Sequence, residues 1–164
     1  MLKGMYAMQI RKILCTDIDK NREAIILWLA ELIKTSLSDN SDRCIEIAEK
    51  KAEDMRSFCL DGSARLLGAF EGEKLCGFLW AYKHTVFGED KIHITQFYVD
   101  REYRNCGVAS ALLDGIKRVA HEMGVRFLDL NVKADNLAAR RLYKKFGFTE
   151  DFVHMTGDVE VTEC

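Results

Sequence analysis

The stretch Val99-Asp-Arg-Glu-Tyr-Arg-Asn-Cys-Gly-Val-Ala109 joins the end of a predicted strand to the start of a predicted helix. The first amides of a helix have no partner within the helix and carry a partial positive charge, so they can bind a phosphate or pyrophosphate. Gly107 lets the backbone approach a ligand, Ala109 is too small to block it, and Arg104 adds a charged donor. Alone, this pattern also fits many ordinary strand-to-helix connections.

A second stretch, Leu130-Asn-Val-Lys-Ala-Asp-Asn-Leu-Ala-Ala-Arg-Arg-Leu-Tyr-Lys-Lys-Phe-Gly-Phe148, follows about one strand later. Together the two stretches resemble the GNAT superfamily of acetyl-CoA-dependent N-acetyltransferases. The pattern Arg104-x-x-Gly107-x-Ala109 matches the pyrophosphate loop of that family. The pattern Asn136-x-x-Ala139-x-x-x-Tyr143-x-x-x-Gly147-Phe148 matches its second signature, and both occur in the family's order and at its usual separation.

Hydrophobic periodicity predicts the elements around these motifs. In chain order they are a strand over 8–14, a helix that begins with the capping box Thr16-Asp-Ile-Asp19, a helix over 42–60, three antiparallel strands over 65–70, 74–84 and 91–100 with turns at 71–73 and 88–90, a helix over 107–123, a strand over 127–132, a helix over 136–146 and a strand over 148–154. This order predicts an α/β (α+β) fold with a mixed, mostly antiparallel central sheet and helices on both faces. We expect one domain over residues 1–164, with its core at about 8–156 and a short acidic tail. The resemblance adds strands that splay apart at the cofactor site.

Composition narrows the class of protein. The 164 residues are 48% hydrophobic and 30% charged, which suits a globular domain, and the net charge of −2 does not suggest a partner nucleic acid. No apolar run approaches the roughly 20 residues that span a bilayer, and the first 15 residues lack the apolar segment of a signal peptide. The six cysteines include no C-x-x-C pair and no His at metal-ligand spacing. Three disulfides are the less favoured interpretation, so we predict a cytoplasmic protein with reduced thiols, no metal and no membrane partner.

The resemblance implies how this chain would hold acetyl-CoA as cosubstrate. In the family, the pantetheine arm lies between the splayed strands and bonds to exposed backbone, and the loop amides hold the pyrophosphate. The resemblance thus implies that the backbone of Phe97, Tyr98 and Val99 contacts the pantetheine arm. It implies that the pyrophosphate is held by the loop residues Arg104, Asn105, Cys106, Gly107, Val108 and Ala109. Asn136 is implied near the coenzyme arm, although a plain helix N-cap explains this residue equally well.

Tyr143 is the predicted catalytic acid. Attack by a neutral amine on the thioester expels a thiolate, and a hydroxyl beside the sulfur can give that leaving group a proton. Similar enzymes use a tyrosine at this point of the motif. The alternative is a buried aromatic residue that packs with Ala139 and Phe146.

The general base is less evident from the motifs. Histone-type members of the family carry a glutamate on the strand before the loop, where this chain has His93, and ribosomal-protein-type members carry one where this chain has Asn131. His93 is therefore a catalytic candidate, because an imidazole changes charge near neutral pH. A partly exposed strand histidine is the other interpretation, and a water chain that ends on Asp100 or Glu102 is a second route.

The acceptor is predicted to be a small-molecule amine. In similar proteins the first two long helices and the turn between them, here 36–41, form the acceptor-side wall, and Trp80, Tyr82 and His84 lie on one face of an adjacent strand. The absence of both glutamates disfavours a protein acetyltransferase acting on a lysine or an N-terminus. A coenzyme A-binding sensor without catalysis is the third hypothesis. Similar proteins often pair through their final strands, so a homodimer is a further expectation.

Overall fold

The computed structural model describes residues 7–36 and 41–157. Its elements are β1 (Gln9–Lys12), α1 (Cys15–Lys20), α2 (Arg22–Ser36), α3 (Ser41–Asp61), β2 (Ala64–Glu71), β3 (Lys74–Val86), β4 (Glu89–Val99), a 3-10 turn (Arg101–Tyr103), α4 (Val108–Glu122), β5 (Phe127–Leu130) and α5 (Leu137–Lys145). The strands form one sheet in the order β1-β2-β3-β4-β5, and β5 is parallel to β4 while the other neighbours are antiparallel. The predicted mixed, mostly antiparallel sheet is confirmed.

One face of the sheet packs against α1, α2 and α3. Aromatic rings hold this layer together, because Trp28 of α2 stacks on Tyr98 of β4 at 5.3 Å and on Phe78 of β3 at 6.2 Å between ring centroids. Phe58 of α3 lies against Trp80 of β3 at 6.0 Å. Stacked aromatic pairs stabilise a fold by more than the burial of their apolar area alone would give. This face is called the aromatic face below.

The opposite face packs against α4, which confirms helices on both faces. Leu112, Leu113 and Ile116 of this helix are fully buried. Gly115 lets the helix approach β1 and β2 closely, since a Cβ atom there would lie 3.0 Å from Leu67 Cδ1.

A bulge divides β4 into two parts. Trp80 pairs with Gln96 and the next residue, Ala81, pairs with Ile94, so Thr95 is an extra residue in β4. Successive strand residues point to opposite faces, and the extra residue therefore puts His93 on the same face as Tyr98. That face is the aromatic face.

Pairing between β4 and β5 is short. It covers Lys91 to Ile94 on β4 and Phe127 to Leu130 on β5, whereas β4 continues to Val99 paired with β3 on its other side. The predicted strand over 127–132 is therefore two residues too long. The part of β4 that precedes the loop thus has an edge that β5 does not cover.

The chain falls into two compact units, divided between Asn131 and Val132. The first holds the sheet and α1 to α4. The second holds α5, which begins after Asn136 and ends at Gly147, a residue with φ of +87°. The predicted single domain remains a prediction. None of the helices in the described residues is long and apolar enough to cross a membrane.

Two predicted boundaries at the start and middle of the chain were wrong. The first helix begins at Cys15, not at a capping box from Thr16, because the Asp17 carboxylate accepts from the Leu14 amide at 2.8 Å. The turn between β3 and β4 is Phe87-Gly88, not 88–90. Both turn residues have positive φ, +51° and +81°, which suits the twist of a two-residue hairpin.

The predicted strand over 148–154 is absent from the described residues. Phe152, Val153 and Met155 are each 85% exposed. Adjacent residues of a strand face opposite ways, so Phe152 and Val153 cannot share one buried face. The predicted turn at 36–41 and the acidic tail after Gly157 lie largely outside the described residues, which omit 37–40 and 158–164.

Candidate functional site

The loop between β4 and α4 turns sharply at two residues. Asn105 and Gly107 have φ of +59° and +81°, and α4 begins immediately afterwards at Val108. A Cβ atom at Gly107 would meet nothing within 4 Å, so the space beside the helix start is open and the backbone angle is what favours glycine. The first amides of α4 point out of such a start without an acceptor in the helix. This geometry suits an anionic ligand.

The loop rests on a short 3-10 turn. The Asp100 carboxylate accepts from the Glu102 amide at 2.9 Å, and the Tyr103 amide donates to the Asp100 carbonyl at 2.9 Å. Asp100 is thus already engaged in capping this turn, and Glu102 lies 3.7 Å from Lys74 Nζ. These two carboxylates were predicted from the sequence as possible ends of a water chain that deprotonates the acceptor. In the structure each carboxylate already has a partner of its own.

Arg104 braces the stem of the loop. Its Nε donates to the Val99 carbonyl at 2.9 Å, and its guanidinium lies 5.1 Å from the centroid of the Tyr98 ring. The predicted role as a charged donor beside the site therefore comes with contacts to the strand that precedes it. Cys106 is exposed, and its Sγ lies 3.4 Å from the Arg104 carbonyl oxygen.

Glu31 of α2 lies beneath the same stem. Its carboxylate accepts from the Tyr98 hydroxyl at 2.6 Å and from Arg101 Nη2 at 3.0 Å. The hydroxyl and then the guanidinium lower the pKa of Glu31, because both favour its charged form. Sequence reasoning missed this residue, and its signal was a carboxylate within the apolar run Trp28-Leu-Ala-Glu-Leu32.

The strand that leads into the loop presents its residues to both faces. Tyr98 is buried on the aromatic face, while Phe97 and Val99 are half-buried on the other side of β4. All three belong to the part of β4 that β5 does not pair with. That this backbone binds a pantetheine arm remains a prediction.

The second unit carries the other motif. Asn136 is the N-cap of α5, and its side-chain oxygen accepts from the Ala139 amide at 3.2 Å. The N-cap interpretation is thus confirmed. Tyr143 lies edge-to-face with Phe148 at 5.7 Å, and burial raises the pKa of Tyr143 to about 12. The phenol therefore stays protonated at neutral pH, as a proton donor must.

His93 lies on the aromatic face within a cluster of polar side chains. Its Nδ1 is 2.9 Å from Asp129 Oδ1, and the same carboxylate lies 3.2 Å from Nε2 of His84 through each oxygen. The Tyr82 ring is 5.3 Å from the His93 ring and 5.8 Å from the His84 ring. We call His84, His93 and Asp129 the imidazole cluster.

Sequence reasoning found both histidines but missed Asp129. Asp129 lies two positions before Asn131, where ribosomal-protein-type members of the family carry a glutamate, and Asn131 is exposed beyond the end of β5. Only the parallel register, in which His93 is opposite Asp129, brings the carboxylate to the imidazole. One ligand atom from each member of the imidazole cluster lies within 4.8 Å of the others, so the cluster could also hold a metal ion, which the sequence did not predict.

The family model described as acetyltransferase (GNAT) family matches residues 29–148. The chain belongs to this family. The match confirms the predicted family, and it spans the loop before α4, the imidazole cluster and α5.

Individual relatives agree with this assignment. The chain is 34% identical over 82 residues to the uncharacterized N-acetyltransferase YycN of Bacillus subtilis (strain 168), an alignment that covers 50% of this chain and 53% of that protein. It is 40% identical over 58 residues to the L-2,4-diaminobutyric acid acetyltransferase of Streptomyces coelicolor (strain ATCC BAA-471 / A3(2) / M145), covering 35% of this chain and 34% of the relative. The chain thus spans about half the length of the first relative and about a third of the second.

Solved structures show the same fold. A putative acetyl transferase from Pyrococcus furiosus superposes with a TM-score of 0.72 at 22% identity, covering 93% of this chain and 100% of that one. An aminoglycoside acetyltransferase from an uncultured soil metagenomic sample superposes with a TM-score of 0.71 at 19% identity, covering 94% and 99%. At these sequence identities the superpositions show a shared fold.

Proposed function

We propose that this chain transfers an acetyl group from acetyl-CoA to a primary amine of a small molecule. The observation that carries the proposal is the open helix start at Gly107, which follows a strand edge that β5 leaves uncovered, in a member of an acetyltransferase family. A pyrophosphate at the helix start and an extended arm along the strand edge would use backbone groups that ordinary packing leaves available.

The proposed cofactor contacts follow the two motifs. Backbone amides of the loop hold the pyrophosphate, the strand backbone holds the pantetheine arm, and Asn136 lies near that arm. The residues are Phe97, Tyr98, Val99, Arg104, Asn105, Cys106, Gly107, Val108 and Ala109, with Asn136 and Tyr143 from the second motif.

The proposed reaction is a direct attack. A base takes one proton from the ammonium group of the acceptor, and the neutral amine nitrogen bonds to the thioester carbonyl carbon. The carbon–sulfur bond breaks and Tyr143 gives its proton to the departing sulfur. The second proton that the nitrogen loses as the amide forms restores the phenol of Tyr143. The products are the N-acetyl compound, coenzyme A as the thiol, and one released proton.

Tyr143→Phe tests the acid. Removing the hydroxyl leaves the ring and its packing on Phe148, so we expect turnover to fall severalfold or more, while the affinity for acetyl-CoA changes little. Thiol release measures turnover and calorimetry measures affinity. Unchanged turnover would remove Tyr143 from the mechanism.

His93 is the proposed base. It lies on the aromatic face together with α2 and α3, which we propose as the acceptor side. Among the ionisable groups around it, Asp129 is hydrogen-bonded to its Nδ1, the His84 ring lies edge-on at 5.5 Å between centroids, and Tyr82 packs on its ring. Asp100 and Glu102 are less suited to the role, because each already has a partner.

Relatives and structural neighbours support the proposed acceptor class. One relative is a diaminobutyric acid acetyltransferase, and aminoglycoside acetyltransferases share the fold. We therefore propose a polar small molecule that carries a primary amine, in a cytoplasmic reaction, with a homodimer as a further expectation. Thiol release should be assayed with a panel of amino acids, polyamines, amino sugars and lysine peptides, with longer acyl-CoA donors alongside acetyl-CoA. Turnover on peptides alone would favour a protein acetyltransferase, and binding of acetyl-CoA without any turnover would favour a sensor.

A further inference from the structure

Three neighbouring strands bring one side chain each to the imidazole cluster. His84 comes from β3, His93 from β4 and Asp129 from β5, and all three lie in the same compact unit. The side chains are 26%, 16% and 37% exposed, so the cluster is partly shielded from solvent and still accessible to it. Sheet register fixes these positions more firmly than a loop could.

The hydrogen bonds of the cluster determine which ring nitrogen carries a proton. A carboxylate only accepts, so the His93 nitrogen that faces Asp129, Nδ1, must be the donor in the 2.9 Å contact. In neutral His93 the other nitrogen, Nε2, then has the free lone pair. The same reasoning makes Nε2 the donor of His84.

We infer that Asp129 is the positioning residue for His93, holding its ring so that Nε2 receives the proton of the acceptor amine, and that His84 holds the carboxylate in place. This inference rests on the proposed function. The proton moves from the ammonium nitrogen to Nε2 of His93, which leaves a neutral amine and an imidazolium. The carboxylate 2.9 Å from Nδ1 stabilises that positive charge and takes no proton itself.

His84 completes the arrangement. Its Nε2 lies 3.2 Å from both oxygens of Asp129, so it fixes the plane of the carboxylate as well as its distance. Tyr82 packs on both rings and limits their rotation. The carboxylate therefore accepts from both rings without an added ion, and a bound metal would have to displace both hydrogen bonds.

Asp129→Asn tests the inference. The amide keeps the size of the side chain but removes its charge, so we expect kcat to fall at least about tenfold, with KM for acetyl-CoA unchanged. Asp19→Asn is the matched control, because Asp19 is an exposed carboxylate paired with Arg56 of α3 and should leave kcat unchanged. Thermal unfolding of each variant establishes that it is folded.

Chemical rescue separates positioning from a structural role. His93→Ala should lose most of its turnover and regain part of it with free imidazole, which can occupy the vacated space beside Asp129. In the double variant His93→Ala/Asp129→Asn, free imidazole should restore at least about tenfold less turnover than in His93→Ala. Nitrogen NMR of the wild-type protein should show His93 protonated at Nδ1, and the Asp129→Asn variant should lose that preference.

The outcomes are distinct. If the wild-type protein acetylates an amine but Asp129→Asn turns over equally fast, or if rescue is equal in both backgrounds, the inference is overturned and the proposed function stands. If no amine is acetylated, the proposed function fails, while a His93 ring protonated at Nδ1 still supports the positioning geometry. Activity that is lost with a chelator and restored by Zn²⁺ would make the cluster a set of metal ligands and overturn the positioning role.

Discussion

Cys106 is the loop residue whose chemical reactivity can report on ligand binding. It is exposed, whereas Cys44 and Cys76 are buried and Cys15 and Cys59 are half-buried. Burial, followed by the hydrogen bond that Cys59 shares with Cys15, raises the pKa of the Cys59 thiol to about 11, so this thiol is largely protonated and unreactive near neutral pH. Among the described cysteines, Cys106 should react first with an alkylating reagent.

We predict that acetyl-CoA protects Cys106. A ligand held by the loop amides would cover the thiol, so alkylation at Cys106 should slow at least about fivefold when the site is saturated. Peptide mass spectrometry after a timed reaction measures the rate at each cysteine. Cys59 provides the internal control, since its rate should not change. Equal rates at Cys106 with and without acetyl-CoA would contradict a cofactor on this loop.

At this scale the sequence predicts residues whose role depends on their neighbours in the chain. Gly107, Asn136 and Tyr143 were found from spacing within a motif, and the structure gives Gly107 its positive φ and Asn136 its N-cap bond. Asp129 and Glu31 were missed, because each acts through a residue that is distant in sequence. A strand register and a helix packing place them, and neither is encoded in local spacing.

Among the elements, α2 and the loop before α4 are joined through one carboxylate. Glu31 receives hydrogen bonds from Tyr98 at the end of β4 and from Arg101 in the 3-10 turn. Arg104 is a third neighbour, 3.7 Å away. The helix on the proposed acceptor side therefore helps to hold the stem of the proposed cofactor loop.

Glu31→Gln should loosen that stem. A hydrogen bond to a charged group contributes about 1.5–3 kcal/mol, and if part of that reaches the loop we expect acetyl-CoA to bind about three- to tenfold more weakly. Calorimetry measures the change. Glu49→Gln is the control, because Glu49 is exposed on α3 and should leave the affinity unaltered. An unchanged affinity in Glu31→Gln would show that the loop keeps its shape without this contact.

The elements themselves were predicted to different degrees. Helices α3, α4 and α5 begin and end within one residue of their predicted bounds, because their apolar stripes and glycine ends are local signals. The expected strand over 148–154 failed, since apolar content alone does not provide a partner strand. The break at Asn21 between α1 and α2 was also missed, because the helical spacing of apolar residues continues across it.

For the whole molecule, one ion pair ties the first strand to the first helix. Arg11 donates two hydrogen bonds to Asp17, at 2.7 and 2.9 Å, and the Leu14 amide donates a third. The guanidinium lowers the pKa of Asp17, which is nearly buried, and the amide adds to the effect. A carboxyl group whose pKa is lower in the folded state stabilises that state above its unfolded pKa of about 3.9, and this contribution is lost as pH falls.

Asp17→Asn should destabilise the protein by about 2 kcal/mol at neutral pH, because Arg11 loses the negative charge that it pairs with. The difference between variant and wild type should shrink as pH falls below about 4, where the wild-type carboxyl group is itself protonated. Denaturant unfolding at several pH values measures both effects. Asp114→Asn, at an exposed position on α4, should show neither. A difference that stays constant down to pH 2.5 would contradict the assignment of the effect to this charge.

The extra residue in β4 has a consequence for reading related sequences. His93 and Tyr98 are an odd number of positions apart yet face the same way, because Thr95 interrupts the alternation. Counting by twos from Tyr98 arrives at Ile94, which is buried towards α4. A gapless alignment with a relative whose strand is regular would therefore match His93 with a residue from the wrong side of that relative's sheet. Deleting Thr95 would likewise separate the two halves of this strand, sending either the imidazole or the tyrosine ring to the opposite surface.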